Sequence, residues 1–344
     1  MKKIFYIFLI FICSCETKKN DLFNLFSDKI EAIPDYEILD VEQYNILDIN
    51  NFDKDENYYV ITHPKDSLII TLVDIQTNKF LKGLKIGRGP NELLSAMLIG
   101  VDNGIVYIND VTTERLCAID IKKCFELNII TFTIIESPHK FIGASVSNNY
   151  IIGNMHYDSD PISRLTLYNR QNGVSSYYND FPQYMEGMTS TQKHMLSINL
   201  HTKQHPDNYY FILHNFSVGE LSIWKLDNDK IKLHKDFIFH APEFYLDNQY
   251  VRYKKENKLG FKSVCVSRDH IYCSYIGMPY EKYKRNPENL KHLFIFDWNG
   301  TPVKQYTLPL SIRVSCYDSK ENAIYGLNDE GETKIIKYKL PPLS

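Results

Sequence analysis

Residues 291–310 restrict the possible folds of this chain more than any other stretch. They run His292-Leu-Phe-Ile-Phe-Asp297-Trp298-Asn299-Gly300, then Thr-Pro-Val-Lys-Gln-Tyr306. Two apolar, aromatic-rich runs flank Asn299-Gly300, the pair that best tolerates the positive backbone angles of a tight hairpin turn. Weaker versions of the pattern recur. Short strand-like runs at 58–61, 68–75 and 80–86 are followed by 105–109, 115–121 and 125–135, then 150–153, 163–168 and 174–178. Further units are expected at 205–213, 221–226 and 231–239, at 270–275 with the hairpin itself, and at 323–327 with 333–338. A chain built this way is a repeat protein.

The third strand of each unit can be marked at Asp74, Asp120, Tyr168, Lys225, Asp297 and Tyr338, which leaves gaps of 46, 48, 57, 72 and 41 residues. Units of three or four consecutive antiparallel strands at about 40–50 residues are the blades of a propeller. The long gaps hold a connection at 181–204 and a polar insert at 279–290. The expectation is therefore an all-β, six-bladed β-propeller over residues 36–344, and a pair of β-sandwiches is the competing architecture. The 25 Tyr and 19 Phe suit strands. The last unit runs into Pro341-Pro342 without an outer strand, and the spare strand at 36–49 is expected to complete it and close the ring.

The amino terminus carries an address. Lys2-Lys3 precede an apolar run at 4–12, too short for a membrane span of about 20 residues but suited to a secretory signal. Next comes Ile12-Cys13-Ser14-Cys15, which resembles a bacterial lipobox. That implies a signal peptide at 1–14, acylation (palmitate) of Cys15, and an anchor and tether at 15–35; an ordinary secretory signal or an apolar N-terminal strand is the other reading. Losing the signal leaves 37 basic against 42 acidic residues, without long runs, and nucleic acid is disfavoured as a partner. Five of the seven cysteines lie in the body, an odd number without disulfide-framework spacing. Cys265 and Cys273 would face one another in one hairpin register and lie on opposite faces after a slip of one residue.

Together with the blades and the lipobox, Gly87-Arg88-Gly89-Pro90-Asn91-Glu92 carries a resemblance. The chain is similar to the TolB-like, six-bladed propeller lipoproteins of Gram-negative gut anaerobes, in which a Gly-x-Gly-Pro-x-Glu turn recurs at this junction. His205-Pro206-Asp207-Asn208 is similar to their Ser-Pro-Asp-Gly turn, with His and Asn as departures. The resemblance implies the propeller and an envelope location, an outer-membrane anchor facing periplasm or exterior, and little about chemistry.

Candidate site residues follow from this frame. The 87–92 loop should lie near the mouth of the central channel, where Arg88, Asn91 and Glu92 are expected to contact a ligand or protein partner; alternatively Arg88 and Glu92 pair as a staple. It fails as a nucleotide loop, because Glu92 stands where the last glycine is needed. His201 and His205 have helical ligand spacing, but Pro206 argues for extended chain, so no metal is expected there. Asp53-Lys54-Asp55-Glu56 and Asp158-Ser159-Asp160 read as solvated turns, and 143–147 lacks the final glycine of a nucleophile elbow. No catalytic set and no cofactor is assigned. The expected function is a binding or interaction module; the alternative is a metal-dependent hydrolase or lactonase of propeller type, which would need three or four Asp, Glu, Asn or His side chains converging in the channel.

Overall fold

The computed structural model describes residues 21–343 apart from 47, 64–65, 148, 156–162, 208, 228, 249, 329 and 331. The expected signal segment, Cys15 and the Asp158–Asp160 turn lie outside the described residues.

Six antiparallel sheets form a ring. Their innermost strands are Asn51–Lys54, Ala96–Asp102, Phe141–Val146, Leu200–Gln204, Phe261–Val266 and Arg313–Asp318. Each blade then proceeds outward in chain order, and the apolar clusters lie between neighbouring blades. The outer strand of the sixth blade comes from the N-terminal side of the chain: Glu37–Ile38 pairs antiparallel with Ile335–Lys339. Ring closure therefore follows the expected route, but through two residues rather than the whole of 36–49. Glu42–Tyr44 instead forms a 3-10 turn that ends at Asn45 with φ 52°.

The N-terminal segment is more integrated than the expected tether. Leu22 and Phe26 are fully buried among Phe294, Phe296 and Ile223, and Ile30–Ala32 adds a parallel fifth strand to the fifth blade against Pro302–Thr307. Two further expectations shift. The first blade begins at Asn51 rather than 58, so Asp53 and Lys54 belong to an inner strand and not to a solvated turn. The expected strand at 125–135 is in part a helix, Ile121–Leu127, because the Asp120 side chain accepts the Lys123 amide at 3.0 Å and Asn128 closes the last turn at φ 54°.

The hairpin at 291–310 forms as His292–Asp297 paired with Pro302–Thr307. Its turn is built differently from a two-residue Asn-Gly turn. Gly300 (φ 77°) takes the left-handed conformation and Asn299 does not, while the Asp297 carboxylate accepts the Asn299 and Thr301 amides at 2.9 and 2.7 Å. Cys265 pairs with Tyr272 and Cys273 with Val264, so the two thiols sit on opposite faces of the sheet; all five cysteines of the body are buried and free.

Four inner strands share a device that, in three of them, places the unpaired side chain on the channel. In the second, third, fifth and sixth blades one residue of the inner strand has no partner in the register: Ile99, Ile142, Lys262 and Ser315. Such bulges bend a strand and re-aim its side chains. Ile99, Lys262 and Ser315 all line the channel.

Candidate functional site: the axial channel

The loop singled out from sequence joins the outer strand of the first blade to the inner strand of the second, entering the ring at the Ala96 end. Lys85–Ile86 and Glu92–Leu93 pair in parallel, and the Glu92 carboxylate turns back to accept the Gly89 amide at 2.7 Å. A Cβ on Gly87 would stand 2.0 Å from Glu92 Oε2, which explains the glycine by close approach. Asn91 occupies the left-handed region at φ 59°. The Arg115 guanidinium ties the Glu92 carbonyl (3.1 Å) to the buried Asp110 carboxylate (3.0 Å), which also accepts the Leu94 and Ser95 amides. Glu92 thus staples the junction through the Gly89 amide rather than through Arg88, which is exposed. Among the cavities on the axis, none is lined by Arg88, Asn91 or Glu92. Glu92→Ala is expected to lower stability by about 1–2 kcal/mol, and Arg88→Ala to change it by less than about 0.5 kcal/mol; urea melts of both variants check this, and equal losses would refute the staple.

The channel itself is polar. An outer chamber of about 240 Å³ is lined by Asp53, Lys54, Asp102, Tyr107 and Tyr317 among others. An inner chamber of about 180 Å³ is lined by His201, His214, Lys262 and Ser263, and it shares His201, Lys262 and Ser263 with a vestibule of about 250 Å³ that reaches Arg313. Asp53, Ile99, Lys203 and Ser315 line both chambers and form a belt between them. Four different blades supply this belt.

The Lys203 charge acts on Asp53 across the belt. Lys203 Nζ donates to the Ile99 carbonyl at 3.1 Å, which holds the ammonium across the axis. Burial pushes the Asp53 carboxyl up to about 6; the Lys203 charge and hydrogen bonds from the Lys54 and Val101 backbone and from Cys316 pull the other way without cancelling it. Next to Asp53, Lys54 reaches across the blade seam to pair with Asp318, closing the ring at the channel wall with a buried ion pair.

The histidines separate into different roles. His201 and His214 face each other across adjacent strands with ring centroids 5.6 Å apart. Burial, reinforced by Lys203, lowers His201 to about 4, and burial together with His201 and Lys203 lowers His214 well below its usual value, so both rings are neutral at pH 7. His205 takes the position of the serine in the blade-opening turn. Its Nδ1 accepts the Asp207 amide at 2.9 Å, its Nε2 lies 2.9 Å from the Arg268 carbonyl, and its ring packs edge-on against Trp298 at 4.8 Å. Among the described residues no three His, Cys, Asp or Glu side chains are placed to hold a metal ion. The channel brings one carboxylate and one amine together at its belt, an arrangement suited to binding polar groups. Sequence reasoning passed over Asp53 and Lys203; the signal available was their place in short polar runs that directly precede the apolar second strands of two blades.

A search of the curated proteins returned no match. Among solved structures, a candidate exported protein of Bacteroides fragilis superposes with a TM-score of 0.55 at 11% identity, covering 91% of this chain and 100% of its own. A member of the duf4221 family from Bacteroides vulgatus gives 0.49 at 12% identity over 88% and 95% of the two chains. Virginiamycin B lyase from Staphylococcus aureus gives 0.49 at 10% over 89% and 99%. At such identities a likeness concerns the fold alone. The family model described as TolB-like 6-blade propeller-like matches residues 74–321. That match spans more than half of a chain whose sheets close into six blades, and the chain belongs to the TolB-like six-bladed propeller family.

Proposed function

We propose that the protein is an extracytoplasmic binding module, held to the membrane through acylated Cys15, whose small polar ligand enters the axial channel. The observation that carries the reading is the Asp53–Lys203 belt. A carboxyl that burial raises and an amine from a different blade line the same cavity, and ionisable groups perturbed in this way cluster at functional sites. Arg88, Asn91 and Glu92 stand on the strap that enters the ring at the inner-chamber end, and Arg88 is the exposed member that a docked protein partner would meet. Partner binding that survives Arg88→Ala unchanged would remove that contact.

The test is equilibrium dialysis of a pool of polar metabolites against the wild type and Lys203→Met. At least one compound should be retained by the wild type and lost, by about tenfold or more in affinity, in the variant, since a charged hydrogen bond in a desolvated site is worth about 1.5–3 kcal/mol. Retention that is absent, or identical in both proteins, defeats the channel reading. The anchor rests on the lipobox-like sequence before Cys15. Cys15→Ser should move the protein from the membrane to the soluble fraction, and a variant that stays membrane-bound overturns the anchor.

A further inference from the structure

The inner chamber holds polar atoms whose partners are missing from the chain. His214 Nδ1 and Ser263 Oγ are buried and have no hydrogen-bond partner among the described residues, and both residues line the 180 Å³ chamber. Buried polar atoms are nearly always paired with protein, water or ligand, so these two atoms call for a partner from outside the chain. Lys203 lines the same space. Its ammonium carries three donors, of which the Ile99 carbonyl takes one.

The chemistry of the occupant follows from what each atom offers. His214 is neutral and hydrogen-bonds to the Phe261 backbone through its other nitrogen, which leaves Nδ1 as a lone-pair acceptor and calls for a donor such as a hydroxyl. The Lys203 ammonium calls for acceptors, best of all anionic oxygens. Lys262 lines the chamber and Arg313 the vestibule beyond it, and Asp53 is the one carboxylate that lines either cavity. A cation would meet ammonium and guanidinium groups on its way in. A plain polyol would offer the remaining Lys203 donors only neutral oxygens. The size is bounded as well, since a cavity of about 150 Å³ accommodates benzene, so about six to ten heavy atoms fit here.

We infer that the inner chamber is a site for a small hydroxy acid, its carboxylate on the Lys203 ammonium and a hydroxyl donating to His214 Nδ1, with Ser263 Oγ completing the contacts. This rests on the channel reading above and narrows it to one ligand class.

Three probes of similar size dissect the proposal: glycerate has both groups, glycerol only hydroxyls, and propionate only the carboxylate. Titration calorimetry gives their affinities, and long-range proton–nitrogen spectra of the imidazoles report on His214. Glycerate should bind at least about tenfold more tightly than either half-probe and shift the His214 Nδ1 resonance. Ser263→Ala, which removes one hydroxyl and leaves the strand intact, should weaken glycerate by about threefold or more, and Lys203→Met by about tenfold or more. Propionate binding as tightly as glycerate overturns the hydroxyl contact, and glycerol doing so overturns the carboxylate contact. Glycerate that leaves His214 undisturbed, or fails to bind, overturns the site. The dialysis experiment keeps the two readings apart. A neutral or cationic compound retained through Lys203 while glycerate fails would sink the hydroxy-acid class and leave the channel reading standing. Nothing retained at all would sink both.

Discussion

Arg164→Met should lower the stability of the folded protein by about 3–5 kcal/mol, the usual penalty for stranding one member of a buried charge pair. Arg164 is fully buried at the seam between the third and fourth blades. Its guanidinium contacts Glu220 Oε1 at 2.5 Å, Ser222 Oγ at 2.8 Å and Asp236 Oδ1 at 3.1 Å, donates to the Asp180 carbonyl, and lies over the Trp224 ring. Glu220 is equally buried, and besides Arg164 its carboxylate has the Tyr184 hydroxyl at 2.9 Å. Remove the guanidinium and Glu220 is left as a desolvated anion with one hydrogen bond. Asp236 is better placed, because its side chain keeps 27% of its exposure and can relax toward solvent. The double variant Arg164→Met/Glu220→Gln, which takes away the stranded charge, should therefore recover more than half of the loss. Urea unfolding with an unchanged m-value would measure both. A loss below about 1 kcal/mol for the single variant would show that the seam tolerates the unpaired carboxylate, and the account given of it would fail.

What the sequence conceals follows from where the polar residues face. The outer and middle strands were legible, because runs such as 271–275 and 293–296 are apolar enough to be strands in any register and lie between turn residues. The inner strands were not. They face a wet channel, so Asn51–Lys54 and Leu200–Gln204 are as polar as loops, and Asp53 passed for part of a solvated turn. The bulges concealed more. An unpaired residue at Ile99, Lys262 or Ser315 breaks the two-residue alternation on which strand reading depends, in the very strands that build the site. The histidines drew notice for their helical spacing, whereas the chemistry lay in the residue between His201 and His205, Lys203, and in the cross-strand partner His214. The Gly87–Glu92 motif was recognised correctly as a junction. Its glycine is explained by the Glu92 carboxylate folding back onto the loop, a contact no spacing reveals.

Asp53→Asn should make the protein more stable at pH 7.5, by about 2–3 kcal/mol, and the gain should vanish near pH 4. The sign follows from proton counting. The folded carboxyl titrates near 6 and the unfolded one near 3.8, so between these values the folded chain binds more protons and stability falls as pH rises. Above pH 6.5 the whole penalty of holding the anion is present. Lys203 from the fourth blade, the amides of Lys54 and Val101 and the Cys316 thiol, which burial keeps protonated, all favour the anion, while the Lys54 ammonium is already engaged by Asp318. His201 and His214 act with the opposite sign. Burial depresses them, so below about 6.5 the unfolded chain binds more protons than the folded one, down to about 4 for His201, and their contribution to stability rises with pH over that range. Two depressed histidines outweigh one raised carboxyl, so wild-type stability should still rise across pH 4–6.5, and the variant, freed of the Asp53 slope, should climb more steeply. The difference between the two curves isolates Asp53, because the histidine terms are common to both. A difference that is constant with pH would show that Asp53 titrates normally and that the belt is an ordinary solvated pair. A difference that grows as predicted would mean that the fold keeps an ionised carboxyl beside Lys203 at the expense of its own stability, as a site retained for binding would.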